Sequence, residues 1–556
     1  MYSQNQSSLK DATWSSGGFN SSEARDSTLS TDSVKSIGRG SRSKDYSTTN
    51  IQVENVDEAD ITKTDGDFIY SISDNNVIIT NVVNPENIKI SAKIPINDGI
   101  PEDLILYKDN LVVISSDVTS SGSYYYYNNN SNTIVKVYNI QNKEKPILVK
   151  NYKLFEPYYT SRCIDNKLYV ISSGYLREEN GQIVTYYHED NMQVEIPLKD
   201  IKYITGMKTN KQTLISMLDL NKPTQDVSVK SYLLDINNAY VSEHSIYLLD
   251  DGYYDSYNSA SLIKSLFGLK GVLGLFYSDY DYYYIDNTII YKFNILNNGE
   301  IEYSAKTKVE GRTINQFSLD EHNGNLRVAL QDNNGSRIVI FNDNLKQIGQ
   351  TSYMAKGEMM YSSRFIGDKA YLVTYMVVDP LFVIDVSDPT KPTVLGELKI
   401  PGYSTYLHPY DENHLIGIGI ETTEVVYRDS YGRVTSTTSR ITGMKMALFD
   451  VSDVYNPIQI SQTVIGDSRA TSAILTNHKA LLFSKEKELI AIPVNNYKEN
   501  FEINIYSDSY SSLVDSYTNY NKPYISEGYF VYNINLEEGF SLKGVINHEK
   551  QTSQSS

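Results

Sequence analysis

Three groups of residues have types and spacing that could do chemistry. The first is an acidic run, Asp57, Glu58 and Asp60, with Asp65 and Asp67 close behind. Hard cations such as calcium are held by several oxygens, so the run could be a calcium site built from Asp57, Glu58, Asp60 and Asp65. Its spacing is not that of an EF-hand loop. The simpler expectation is that Asp60 and Asp65 cap turns at the first blade and pair with neighbouring blades.

The second group is YLHPYDENH, which offers His408, Tyr410, Asp411, Glu412 and His414 for metal or acid–base work. Its proline and Asp-Glu-Asn run also read as a turn, which is the plainer account. The third is a pair of arginines, Arg162 and Arg364, at equivalent places in two copies of one motif. Guanidinium groups facing a common centre could grip an anion bidentately, or could instead be spent on ion pairs with Asp379 or Asp320. Carboxylates at Asp60, Asp320, Glu321 and Asp379 are the acids and bases that glycan hydrolysis or elimination would need. No HExxH, GxSxG, P-loop or GxGxxG pattern occurs, so no catalysis is expected; binding residues are sought among Arg162, Arg364, Asp379, His408, Tyr410 and Asp411.

These residues must be positioned by strands. From Ile51 onward the chain runs in short apolar or alternating stretches bounded by Asn, Asp and Gly, and helical periodicity is nearly absent. Two segments align without a gap, SRCIDNKLYVIS from Ser161 and SRFIGDKAYLVT from Ser363. Each reads as an inner strand, a two-residue turn (Asp165-Asn166 or Gly367-Asp368) and a second strand carrying Tyr169 or Tyr371. Weaker copies start at Gly66, Lys108, Glu243, Asn323, Glu412 and Asn477, about eight units in all.

A second signature ends in a late proline: YNIQNKEKP at Tyr138, IDVSDPTKP at Ile384 and FDVSDVYNP at Phe449. Proline has no donor for a ladder, so it marks the hairpin from third to fourth strand. The reading is all-β, a propeller of about eight four-stranded blades with seven as the next choice. Residues 1–49, rich in Ser and Asn, are expected to be a flexible leader, 50–548 one propeller domain and 549–556 a flexible tail. The segment NIQVENV, Asn50 to Val56, is expected to close the ring by pairing with the last blade. SLIKSLFGLKGVLGLF is the one place with helical spacing, a short helical insertion near residues 260–275.

A formal charge of −18 makes nucleic acid and anionic lipid unfavourable partners. No stretch is apolar enough for a membrane span, so any anchor is expected outside this chain, and Met1 to Asp26 lacks the layout of a signal peptide, so an export signal is expected to be either absent or already removed. Cys163 is the lone cysteine, so no internal disulfide can form. Tyrosine is over-represented at 48 residues, and it collects with Asn in insertions near Ser121, Asp250 and Tyr506. Such loops share the chemistry of antibody paratopes, with broad amphipathic contact at low rotamer cost.

Four stretches also carry a family likeness: TNIQVENVDEADITKTDGDFIY from Thr49, INQFSLDEHNGNLRVAL from Ile314, the long run YSSRFIGDKAYLVTYMVVDPLFVIDVSDPTKPTVLGELKI from Tyr361, and VIGDSRATSAILTNHKALLFSKEKELIAIPV from Val464. They resemble the secreted bacterial and archaeal β-propeller domain distantly related to WD repeats, a family with little assigned biochemistry. The resemblance implies a propeller outside the cell and no particular reaction. The function expected is a monomeric extracellular or cell-surface scaffold that binds a protein or glycan, with no cofactor except the possible calcium. The competing class is an extracellular glycan hydrolase or lyase.

Overall fold

The computed structural model describes residues 46–118, 131–179, 182–204, 209–255, 284–376, 379–498 and 524–547. Apart from short 3-10 turns, the regular structure in these residues is strand, arranged as eight antiparallel blades with four core strands each. The innermost strands, in order, are Thr62–Thr64, Ile100–Tyr107, Tyr158–Ile164, Asn238–Val241, Leu319–His322, Met359–Ile366, Tyr403–Asp411 and Leu482–Ser484. The matching outermost strands are Lys89–Pro95, Ile147–Leu154, Ser228–Leu233, Ile301–Glu310, Gln347–Gln350, Thr393–Ile400, Ile458–Ile465 and Gly539–Asn547.

The repeated motif acts as the sequence predicts. Tyr158–Ile164 pairs with Lys167–Tyr175 across Asp165-Asn166, and Met359–Ile366 pairs with Lys369–Tyr375 across Gly367-Asp368. Asp165 and Gly367 both have positive φ, which Asp tolerates and Gly adopts at no steric cost. The tyrosine of the second strand recurs as Tyr70, Tyr169, Tyr247 and Tyr371, and all four are fully buried. Each ring fills space between blades; the Tyr169 hydroxyl reaches the Gly299 carbonyl of blade 4. Part of the tyrosine excess is therefore core material, not surface chemistry.

The late-proline signature is a doubled Asx turn. In blades 1, 2, 6 and 7 one Asx side chain accepts from the backbone N–H two residues on, and a second Asx three residues later does the same. The pairs are Asn81 and Asn84, Asn139 and Asn142, Asp385 and Asp388, and Asp450 and Asp453. Side-chain acceptors here replace the ladder partners the backbone lacks in a turn.

Seven apolar clusters lie at the junctions between successive blades, from blades 1 and 2 to blades 7 and 8. Among the described residues the junction of blade 8 with blade 1 carries no such cluster. Lys479, just before blade 8, donates instead to the Ala59 carbonyl of the segment leading into blade 1 at 2.6 Å and lies 3.6 Å from Asp103 of blade 2.

Three expectations change. The segment before blade 1 does not add a strand to the last blade; Val56–Glu58 pairs antiparallel with Tyr158–Ile164, the innermost strand of blade 3. NHKALLFS is not a second strand, because Asn477 caps a 3-10 turn at His478–Ala480 and Leu482–Ser484 then forms the innermost strand. Blade 2 is wider than four strands: Tyr186–Glu189 and Met192–Glu195, from an insertion in blade 3, extend its outer edge. The helix near 260–275, most of the leader and the tail lie outside the described residues.

Candidate functional site

The centre of the ring is crossed by the chain itself. Residues leading into blade 1 cross the channel and touch one innermost element after another. Asn50 donates to the Tyr406 hydroxyl of blade 7 at 2.9 Å and to the His478 carbonyl at 2.8 Å. The Gln52 side chain donates to the carbonyls of Gln316 and Leu319 at the start of blade 5. Val53 packs against the clusters on both sides of blade 4, and Val56 is buried against blade 3.

Glu58 is the hub of this segment. Its carboxylate accepts from the Gln52 N–H at 2.9 Å, lies 3.1 Å from His478 Nε2 and 3.5 Å from Arg162 Nη2, and is bonded by Gln316. Burial opposes its ionisation, but the Arg162 guanidinium, the His478 hydrogen bond and the Gln52 N–H together hold it well below the usual carboxylate range. Arg162 is satisfied elsewhere too, by Thr160 Oγ1, the Ser161 carbonyl and Gln316 Oε1. Its partner is thus neither Asp379 nor Asp320 but a carboxylate delivered by the threading segment.

Arg364 occupies the equivalent place in blade 6 and is treated differently. It is 8% exposed and stacks over the Phe317 ring at 4.7 Å, and its Nη1 is sealed from solvent without a hydrogen-bond partner. Beside it in blade 7, Tyr406 bonds His408 Nδ1 at 3.1 Å. Burial, then the positive charges of Arg364 and His478, push the His408 imidazole down to about 3, so it is neutral at ordinary pH.

The remaining residues of YLHPYDENH do not join them. Tyr410 is buried between blades 7 and 8. Asp411 pairs with His414 at 2.7 Å and Lys485 at 2.9 Å and accepts from the Asn413 N–H, which is the turn role. Asp379 begins the third strand of blade 6, its backbone opposite Ile400, and so does not stand on a channel-lining strand.

The acidic run is dispersed over separate partners instead of being gathered round one ion. Asp57 pairs with Lys63 at 2.8 Å; Asp60 accepts from the Ile61 N–H; Asp65 accepts from the N–H groups of Asp67 and Phe68 and from the Tyr70 hydroxyl. Among the described residues no three His, Cys, Asp or Glu side chains are grouped to hold a metal. The carboxylates considered for glycan chemistry are likewise spent one by one: Asp320 on Arg327, Glu321 on Ser242.

The two faces of the ring differ. First-to-second and third-to-fourth strand connections, all short, lie on one face. The joined ends of the second and third strands lie on the other; in blades 2, 4 and 8 the residues between those ends, 119–130, 256–283 and 499–523, lie outside the described residues, and in blade 3 residues 176–210 join them. In blade 7 the same position carries a long hairpin, His414–Arg428 with Val434–Asp450, whose far end exposes Tyr427, Tyr431 and Val434. Sequence reading picked out three of these insertions. It missed the hairpin, because its Thr- and Ser-rich strands continue the blade pattern without a break in composition.

Comparison with known proteins agrees with this architecture. The family description "Beta propeller domain" matches residues 46–556. The chain is similar to an uncharacterised protein of Methanocaldococcus jannaschii, at 29% identity over 82% of this chain and 75% of the relative. It is also similar to an uncharacterised protein of Archaeoglobus fulgidus, at 26% identity over 81% of this chain and 75% of that one. Among solved structures, Hsv2p of Kluyveromyces lactis aligns over 68% of this chain and 95% of its own at 10% identity; its TM-score of 0.30 carries no weight. The chain belongs to the β-propeller domain family.

Proposed function

We propose that the protein is an extracellular or cell-surface binding scaffold, a distant relative of WD-repeat propellers, that acts as a monomer. It holds a protein or glycan through the face from which its insertions depart. The observation that carries this reading is the asymmetry just described, with tight Asx turns on one face and the strand ends that the long connections join on the other. Loops on a rigid scaffold are where recognition concentrates, and Tyr with Asn is the composition that recognises with least entropic loss. A channel ligand of macromolecular size is disfavoured because residues 49–60 already occupy the centre. Catalysis is disfavoured because the carboxylates are committed to separate partners.

The test is a glycan and surface-protein array probed with the full chain. A second sample has the tip of the blade 7 hairpin, residues 425–438, replaced by an Asn-Gly turn, and a third has residues 119–130 shortened. Binding by the parent that falls at least tenfold in either variant is the expected result. Undiminished binding by both variants, or turnover of an arrayed glycan, would overturn the proposal.

A further inference from the structure

We infer that the channel wall between blades 5, 6 and 7 holds a binding site for a small carboxylate, centred on Arg364. The inference is independent of the face-binding reading. It starts from the two copies of the Ser-Arg motif, which give the same residue at the same depth on two innermost strands.

At the first copy the molecule shows what such a guanidinium takes. Arg162 has three hydrogen bonds to protein oxygens and a carboxylate, Glu58, at 3.5 Å. At the second copy nothing equivalent is supplied. Arg364 makes no hydrogen bond or ion pair with any described residue, although it is 8% exposed and Nη1 is fully sealed. A buried charge whose contact is an aromatic face and not a hydrogen-bonding oxygen is costly, and a ligand carboxylate would offset that cost.

The surroundings suit a planar anion. Phe317 divides the two positions: Arg364 lies over its face, and His478, the imidazole bound to Glu58, meets it edge-on at 4.9 Å. Tyr406 accepts from Asn50, which leaves its own proton to donate to His408 Nδ1. The imidazole proton is thereby assigned to Nε2, so His408 is a neutral donor that requires no counter-charge of its own. Nη1 is sealed, so the edge left to meet a ligand is Nε with Nη2, and that edge pairs with a carboxylate through two parallel bonds, a geometry that a spherical ion cannot match. Because Arg364 is more than nine-tenths buried, the ligand is a small molecule and not the side chain of a bulky partner.

Acetate is the probe, titrated into the full chain at constant ionic strength against chloride and followed by calorimetry and thermal unfolding. Saturable binding of acetate over chloride is expected, with a rise in Tm of about 2 °C or more near saturation. Arg364→Gln should abolish both effects while unfolding no earlier than the parent protein, since it removes an unpaired charge. If Arg364→Gln does not fold, Arg364→Lys serves instead; it keeps the charge, breaks the fork and should bind acetate at least tenfold more weakly. No saturable response in the parent, or an equal response in the Arg364 variant, would overturn the site.

Discussion

Glu58 and Arg162 face each other 3.5 Å apart with side chains 4% and 8% exposed, one on the threading segment and the other on the innermost strand of blade 3. The pair ties the segment that leads into blade 1 to blade 3, while His478 on the same carboxylate ties it to the entry of blade 8. In many propellers a shared strand closes the circle; here a central segment bonded to several blades supplies the cross-links. Glu58→Gln should therefore destabilise the whole domain, by about 3–5 kcal/mol, because it leaves the Arg162 charge buried without its counter-ion. Urea unfolding measures this. Adding Arg162→Gln should cost less than the sum of the two single changes, and strict additivity would show that the pair is not coupled.

His408 predicts how the protein responds to acid. Its folded pKa, about 3, lies below its ordinary value of 6.5, so between these pH values the unfolded chain binds more protons than the folded one. Stability is then complete above pH 6.5 and falls as pH drops toward 3. Glu58, also lowered, adds a loss that begins below its ordinary value of 4.5. His408→Gln should flatten the upper part of this decline, recovering roughly 2–4 kcal/mol at pH 4 relative to pH 7. A pH series of urea midpoints that stays parallel to that of the parent would refute the assignment.

Glu156 acts in the opposite direction. It lies in the connection from blade 2 to blade 3, its Oε2 has no hydrogen-bond partner, and burial raises its pKa to about 7 against the pull of Arg177. Between 4.5 and 7 the folded chain now holds the extra proton, so stability declines as pH rises through that window. Glu156→Gln keeps the shape and removes the titration. It should make the protein more stable at pH 8 by about 3 kcal/mol while changing little at pH 4.5. Equal gains at both pH values would mean that packing, not ionisation, is responsible.

What could be read from the sequence was local. The Ser-Arg copies gave two blades directly, and their turn residues gave the register, because Asp165 and Gly367 meet a backbone demand visible in the residue type. The late prolines located third-to-fourth strand hairpins for the same reason. What could not be read was pairing at a distance. Val56–Glu58 is three residues long and carries no pattern to say that its partner is Arg162–Ile164 and not blade 8. Nor does Arg162 differ from Arg364 in sequence context; only the fold shows that one carboxylate reaches the first and that none among the described residues reaches the second. Asn477 misled because NHKALLFS has the composition of a strand entered through a turn, whereas the Asn side chain starts a 3-10 turn one step earlier.

Two glycines in outer strands test how tightly the blades are stacked. A Cβ at Gly349 of blade 5 would collide with the Pro389 carbonyl in the doubled Asx turn of blade 6, and a Cβ at Gly396 of blade 6 would collide with the Val454 carbonyl in the corresponding turn of blade 7. These turns are pinned by Asp388 and Asp453, so the carbonyls cannot easily retreat. The missing side chain, not backbone freedom, is what each site requires. Gly349→Ala and Gly396→Ala should each destabilise by about 1–3 kcal/mol, the range for overpacking a close contact. Relaxing the turn by Asp388→Ala should relieve part of the cost of Gly349→Ala, and should leave that of Gly396→Ala unchanged, since its opposing turn is in another blade. Thermal unfolding of the two double variants decides the point: equal relief in both would mean that the glycines serve the strands themselves and not the fit between neighbouring blades.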